Sequence, residues 1–306
     1  MKLDWNRWAF VLVPLVGVVE LGLHVKQVYG VVPERDWLAA RDVVKGVVKP
    51  DDLVVFAPAW ADPLGRRYFG RDIATVEREA RPDDTRFPRA IEVSIRGEHD
   101  AELAGWHEAA KQKVGAITIT TLENPHPVHV LDDLVTHATA SRMSVAHVDG
   151  GRAQDCVWMH GPVKTGNLGF GPAIPGDRAE CAGGGFVGVT VFAVLDYTAR
   201  RCIYAPPPGG SGATRITFHD VVMGRALHGH HGLYAEAERN KTGTPVKIAF
   251  SIGDESLGKL THEDGDGWTE FELDTTPWAG KKADVVAEIS STNGTRRMYC
   301  FEADTR

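Results

Sequence analysis

The chain has no Cys-x-x-Cys pair, no Gly-x-Ser-x-Gly turn and no glycine-rich loop behind its first strand-like run. The first absence leaves a zinc ribbon or a thioredoxin-like redox centre without support. The second removes the nucleophile elbow of the α/β hydrolases. The third concerns LVVFAP (53–58), which is followed by AWADP. Proline and tryptophan cannot give the close backbone approach that a dinucleotide pyrophosphate requires, so a Rossmann cofactor site is excluded. Basic clusters are also missing. Arginine pairs such as Arg200-Arg201 and Arg296-Arg297 are isolated, and the net charge of −7 argues against a nucleic-acid footprint. No internal repeat is visible.

The length of 306 residues, with 43% hydrophobic and 25% charged residues, suits two medium domains with an appendage. The appendage comes first. Trp8 to Leu23 reads WAFVLVPLVGVVELGL, with Glu20 its single charge and Lys2 and Arg7 before it. Extended to Tyr29 it reaches the roughly 17–25 residues needed to span a bilayer. Basic charge ahead of the run predicts an inner-membrane, single-pass anchor over 1–30 with the remainder outside, in the periplasm. A cleaved signal is the rival, although no small-x-small site follows. The four cysteines, Cys156, Cys181, Cys202 and Cys300, agree with export, since an even count in an exported chain implies two disulfides. Three connectivities are open; Cys181–Cys202 as a hairpin clip with Cys156–Cys300 is the expectation.

Residues 31–151 alternate in texture. ERDWLAARDVVKGVVK (34–49) has helical spacing, LVVFAP is a buried-type strand, RAIEVSI (89–95) a strand, HDAELAGWHEAAKQK (99–113) a helix, AITITTLE (116–123) a strand and PVHVLDDLVTHATA (127–140) a helix, with RMSVAHVDG closing the series. That order predicts an open, mainly parallel α/β sheet whose ligands sit beyond the strand carboxyl ends. From Gly150-Gly151 onward, short strands and turn residues take over, predicting an antiparallel β-sandwich over 152–306. The fold class is therefore α/β plus all-β behind an N-terminal transmembrane helix.

GRALHGHHGL (224–233) carries His228, His230 and His231. On a strand, His228 and His230 share one face. Zinc needs a helical HExxH, or His and Cys at strand spacing plus a third ligand. With glycines marking a turn, no metal site is assigned. EDGDGW (263–268) is rich in oxygen ligands but lacks EF-hand spacing, so a structural calcium is a weak second to a tight turn, and no cofactor is expected. Trp158, Tyr234, Trp268 and Trp278 could stack on a sugar ring. His228, His230, His231, Trp268, Tyr234 and Asp264 are the candidate ligand-binding residues. Neighbouring carboxylates such as Asp132-Asp133 suit capping, and no catalytic set is assigned.

DWLAARDVVKGVVKPDDLVVFAPAW and IEVSIRGEHDAELAGW resemble the extracytoplasmic region of bacterial polyprenyl-phosphate-dependent (GT-C type) glycosyltransferases. TFHDVVMGRALHGHHGL, GKLTHEDGDGWTEFELDT and RRMYCFEAD resemble a galactose-binding-like jelly roll. In those transferases the catalytic acid lies between transmembrane helices, and this chain has one such helix at most. The resemblance therefore implies a non-catalytic, membrane-anchored protein that binds a glycan or a membrane glycosyltransferase partner through loops at one end of the sandwich. A glycan-active enzyme and a structural assembly subunit are the alternatives.

Overall fold

The computed structural model describes residues 5–29, 31–75, 80–81, 83–164, 171–182, 185–195, 198–241 and 243–306. The first helix, α1 (Trp5–Tyr29), has its side chains described over 12–24, all of them exposed. Among the described residues no helix is long and apolar enough to cross a membrane, so the spanning anchor expected over 1–30 is not supplied by them. The flanking Trp5, Trp8 and Tyr29 lie outside the described side chains.

The α/β part begins with α2 (Glu34–Val47), which buries Trp37, Ala40 and Val44, one stripe at i, i+3 and i+7. The helix α3 (Asp62–Phe69) follows β1 (Asp52–Ala57). Every residue of β1 is buried. Val54 and Phe56 pack with the stripe of α2, while Leu53 and Val55 face Leu103, Leu122, Phe87 and Trp106 on the other side. A strand covered on both faces reads as a continuous apolar run, as LVVFA does. The other strands are β2 (Arg89–Ile95), β3 (His107–Val114) and β4 (Ile117–Glu123), in the order β1-β2-β4-β3.

Only β1 and β2 run parallel; β2–β4 and β3–β4 are antiparallel. The mainly parallel sheet is therefore corrected to a mixed one. The cause is the stretch expected to be a helix over 99–113. It forms a 3-10 turn at Ala101–Leu103 and then the edge strand β3. HEAAKQKV favours helix by composition, but tertiary pairing outweighs propensity. A tight turn at Gly115 (φ 59°), whose neighbour Ala116 donates to Asp36 Oδ2 of α2 at 2.9 Å, folds the chain back along β4. The helix expected over 127–140 shortens to Leu134–His137.

The remaining strands build two facing antiparallel sheets. They are β5 (Asp132–Asp133), β6 (Met143–Asp149), β7 (Arg152–Asp155), β8 (Val157–His160), β9 (Asp177–Glu180), β10 (Phe186–Ala193) and β11 (Ala199–Tyr204). After them come β12 (Ala213–Val222), β13 (Ala226–Leu233), β14 (Val246–Ile252), β15 (Glu255–His262), β16 (Thr269–Asp274), β17 (Lys282–Ser291) and β18 (Tyr299–Thr305). One sheet runs β16-β13-β18-β11-β10-β9-β8, with β5 beside β18; the other runs β15-β14-β17-β12-β6-β7. RMSVAHVDG, expected to close the α/β sheet, is β6 and pairs with β12 in the sandwich. Ile216, Phe218, Ile248, Phe250 and Ala287 from one sheet meet Ile203, Leu227, Phe271, Phe301 and Ala303 from the other. Each large apolar side chain in that layer contributes about 1.5–3 kcal/mol.

All four cysteines are paired, but as Cys156–Cys181 and Cys202–Cys300. The expected Cys181–Cys202 clip fails on register. Cys202 lies opposite Thr190 in the β10–β11 hairpin, whereas Cys181 follows β9, at the far end of β10.

Candidate functional site

The GHHG stretch is strand, not turn. β13 lies between β16 and β18, so its side chains alternate strictly between the core and the outer face. Gly229, His231 and Leu233 point inward; His228, His230 and Gly232 point outward. His231 is buried beside His262, Phe271 and Tyr299. His262 contacts the fully buried Glu238 at 3.2 Å, and Glu238 Oε1 also accepts from the backbone N–H groups of Gly265 and Gly267 at 3.1 and 2.7 Å. That carboxylate therefore shapes the 263–268 loop from below.

Burial, with His262 adding to it, pushes His231 down to about 3 from an ordinary value of 6.5. Between those limits the unfolded chain takes up a proton that the folded chain refuses. Stability from this residue is complete above about pH 6.5 and falls as the pH drops towards 3, by up to about 1.4 kcal/mol per unit. Urea unfolding at a series of pH values across that window should show the midpoint falling with pH. His231→Phe should flatten the slope; an unchanged slope in the variant would show that His231 is not its source.

The outer face is polar. His228 Nε2 lies 2.8 Å from Glu270 Oε1 of β16, and His230 Nδ1 lies 2.8 Å from Glu302 Oε1 of β18. Burial raises the Glu302 carboxyl, with His230 opposing. The Trp268 indole runs parallel to the His230 ring (6°, centroids 5.8 Å apart) and comes down against Gly232, where a Cβ would stand 3.0 Å from Cε3.

The α/β part covers this face from above. Arg306 pairs with Asp83 and with Asp304 of β18. Arg86 reaches Asp133 at 3.0 Å, and the backbone N–H of Arg201 donates to Ala80 O at 2.7 Å. Arg200 donates to Arg81 O and to Glu102 at 3.0 and 3.2 Å. Arg81 in turn pairs with Asp84, Asp100 and Glu102. Burial pushes the Asp84 carboxyl up to about 7 against the pull of Arg81. Glu102 is held below the usual carboxylate range: burial acts upward on it, and Arg200 and Arg81 outweigh that.

Between the two layers opens a cleft of about 620 Å³. Asp83, Asp84 and Glu102 line one side; Trp268, His230, Glu270 and Asp266 line the other, with Arg200. Of the six residues expected to bind ligand, the cleft brings together His230 and Trp268, with His228 behind Glu270. His231 belongs to the core. Tyr234 packs edge-on against Phe192 at 5.4 Å. Asp264 is occupied by Arg297 at 2.6 Å and by the Gly243 N–H. An internal guanidinium thus meets the loop carboxylate on which a calcium reading would depend. Trp158 donates to Met143 O, and Trp278 packs on the core. Sequence reasoning missed Asp83, Asp84, Glu102, Arg200, Glu270 and Glu302.

Fold and site define a β-sandwich protein with a polar cleft roofed by a small α/β sheet. No protein-family model matches the chain, and no curated protein matches it. Among solved structures it is similar to the C-terminal CBM6 module of the laminarinase LamC from Zobellia galactanivorans (9% identity, TM-score 0.23, 42% of this chain and 86% of that one). It is also similar to CBM51-2 with GlcNAc and INT domains of ZmpB from Clostridium perfringens (11%, 0.30, 64% and 45%). A third is Xylanase10C from Cellvibrio japonicus in complex with xylopentaose (11%, 0.25, 42% and 26%). The chain spans less than half the length of the latter two. Scores at this level do not establish a shared fold, and the cleft is read from its own residues.

Proposed function

We propose that the chain is an exported, non-catalytic glycan-binding protein whose ligand lies in the cleft over Trp268. One observation carries this reading: an indole wall and a dense set of hydrogen-bonding side chains face the same open cleft. A sugar ring offers both partners, an apolar C–H face for the indole and hydroxyls for the carboxylates and the guanidinium. Counting the groups paired with its lining, Asp83, Asp84, Asp100, Glu102, Asp266, Glu270 and Asp304 outnumber Arg81, Arg200 and Arg306, so the cleft favours uncharged glycans over uronate or sulfated ones.

The catalytic alternative has one observation in its favour, the raised Asp84 beside a lowered Glu102. Carboxyl groups pushed apart in this way are the usual acid and base. Both carboxylates lie on the one Arg81 guanidinium, however, and each shifts the other. Two-carboxylate glycosidases hold theirs about 5–9.5 Å apart, so this pair is not such a couple.

An array of neutral and acidic oligosaccharides probed with the full chain tests the binding reading. Neutral glycans should bind, and Trp268→Ala should weaken that binding at least about tenfold. Retention by acidic glycans alone, or binding unaltered by the variant, contradicts it.

Export rests on the two disulfides, which persist in oxidising compartments. The exposed apolar run of α1, from Leu12 to Leu23, gives the chain a segment suited to a lipid phase. Four free thiols in protein taken from its own cells would contradict this placement. The cleft itself requires no glycosyltransferase partner.

A further inference from the structure

We propose that His228, His230 and Glu270 hold a divalent transition-metal ion, zinc by the chemistry of the ligands, with an open coordination position facing the cleft. The proposal is independent of what else the cleft binds. The two histidines sit two residues apart on the outer face of β13, and Glu270 stands directly across from His230 on β16. One ligand atom from each of the three lies within 4.8 Å of the other two. Ligands at the zinc distance of about 2.0–2.1 Å are about 3.4 Å apart in a tetrahedron, so small side-chain rotations close the set. Two imidazoles and one carboxylate suit zinc; calcium and magnesium take oxygen ligands. Three protein ligands with a fourth position open is the pattern of zinc sites that act on a bound molecule, and here His230 and Glu270 both line the cleft.

The surroundings fit the role. Glu302, buried on β18, sits 2.8 Å from His230 Nδ1. A metal on Nε2 fixes the tautomer in which Nδ1 donates to that carboxylate, the usual support of a ligating histidine. His228 is 4% exposed; its Nε2 meets Glu270 and its Nδ1 has no hydrogen-bond partner. A neighbouring group, Asp83, His228 and Asp304, is similarly close. There the Arg306 guanidinium already bridges both carboxylates, and the cation's place is taken.

Full-length protein stripped with EDTA and titrated with Zn²⁺ in a calorimeter tests the site. One equivalent should bind. Glu270→Gln should weaken binding at least about tenfold, His230→Ala should abolish it, and Glu255→Gln, exposed beside the turn between β14 and β15, should leave it unchanged. Glu270 is exposed, so its variant should keep the native melting temperature and decides the matter even if His230→Ala unfolds. Co²⁺ bound in place of zinc should show the intense visible absorption of a four-coordinate ion. Absence of stoichiometric binding, or binding undiminished in Glu270→Gln, overturns the proposal.

Discussion

Gly229→Ala should cost about 3 kcal/mol of stability and lower the melting temperature by roughly 10 °C, at the upper end of what overpacking a core does. The reason is the position of β13 in mid-sheet. A Cβ on Gly229 would stand 2.1 Å from the Glu302 carbonyl oxygen, 2.8 Å from Ala303 Cα and 2.8 Å from Phe271 Cζ. Two of those atoms are backbone of the paired strand β18, which cannot step aside without breaking the ladder on either side of it. The methyl would also spread β13 from β18 between His228 and His230, and so disturb the outer face. Thermal unfolding of the variant is the check. A loss below about 1 kcal/mol would mean that β13 has room here, and that the close approach of the strands is not what the glycine serves.

Removing the two disulfides one at a time should give unequal losses. Cys202 and Cys300 are 98 residues apart, and the loop they close contains β12 to β17. Cys156 and Cys181 are 25 apart. In the chain-entropy account the longer loop is worth about 4.7 kcal/mol and the shorter about 3.5 kcal/mol. Packing widens the gap, because Cys202 and Cys300 are both fully buried among Phe192, Val194 and Tyr204. Cys202→Ala with Cys300→Ala should therefore cost roughly 1 kcal/mol more than Cys156→Ala with Cys181→Ala, measured by urea unfolding. Equal losses, or the reverse order, would show that loop length does not rank these two bonds.

Local patterns were legible where local forces decide. WTEFELD alternates and becomes β16, with Phe271 in the core and Glu270 outside. The helical spacing of ERDWLAARDVVKGVVK becomes α2, with Trp37 and Val44 of it buried, and the apolar LVVFA becomes β1. The failures are non-local. HEAAKQKV has helix formers throughout and becomes a strand because β4 offers an unpaired edge and Gly115 turns the chain onto it. Cysteine pairing follows strand register, which spacing does not reveal. For the cleft, the alternation of His228 and His230 could be read from their spacing. Their partners could not: Glu270 is 42 residues beyond His228, and Glu302 is 72 beyond His230. Asp83, Asp84 and Glu102 come from the segments flanking β2 and meet the sandwich where contacts such as those of Arg200 and Arg306 draw that layer down. No periodicity records such a docking.

The most direct measurement is a crystal structure of the full-length protein with the neutral oligosaccharide that it binds best. The account predicts a sugar ring against the Trp268 indole, with hydroxyls bonded to the carboxylates between the two layers. A sugar seated on the end loops of the sandwich, with the cleft holding only solvent, would contradict it.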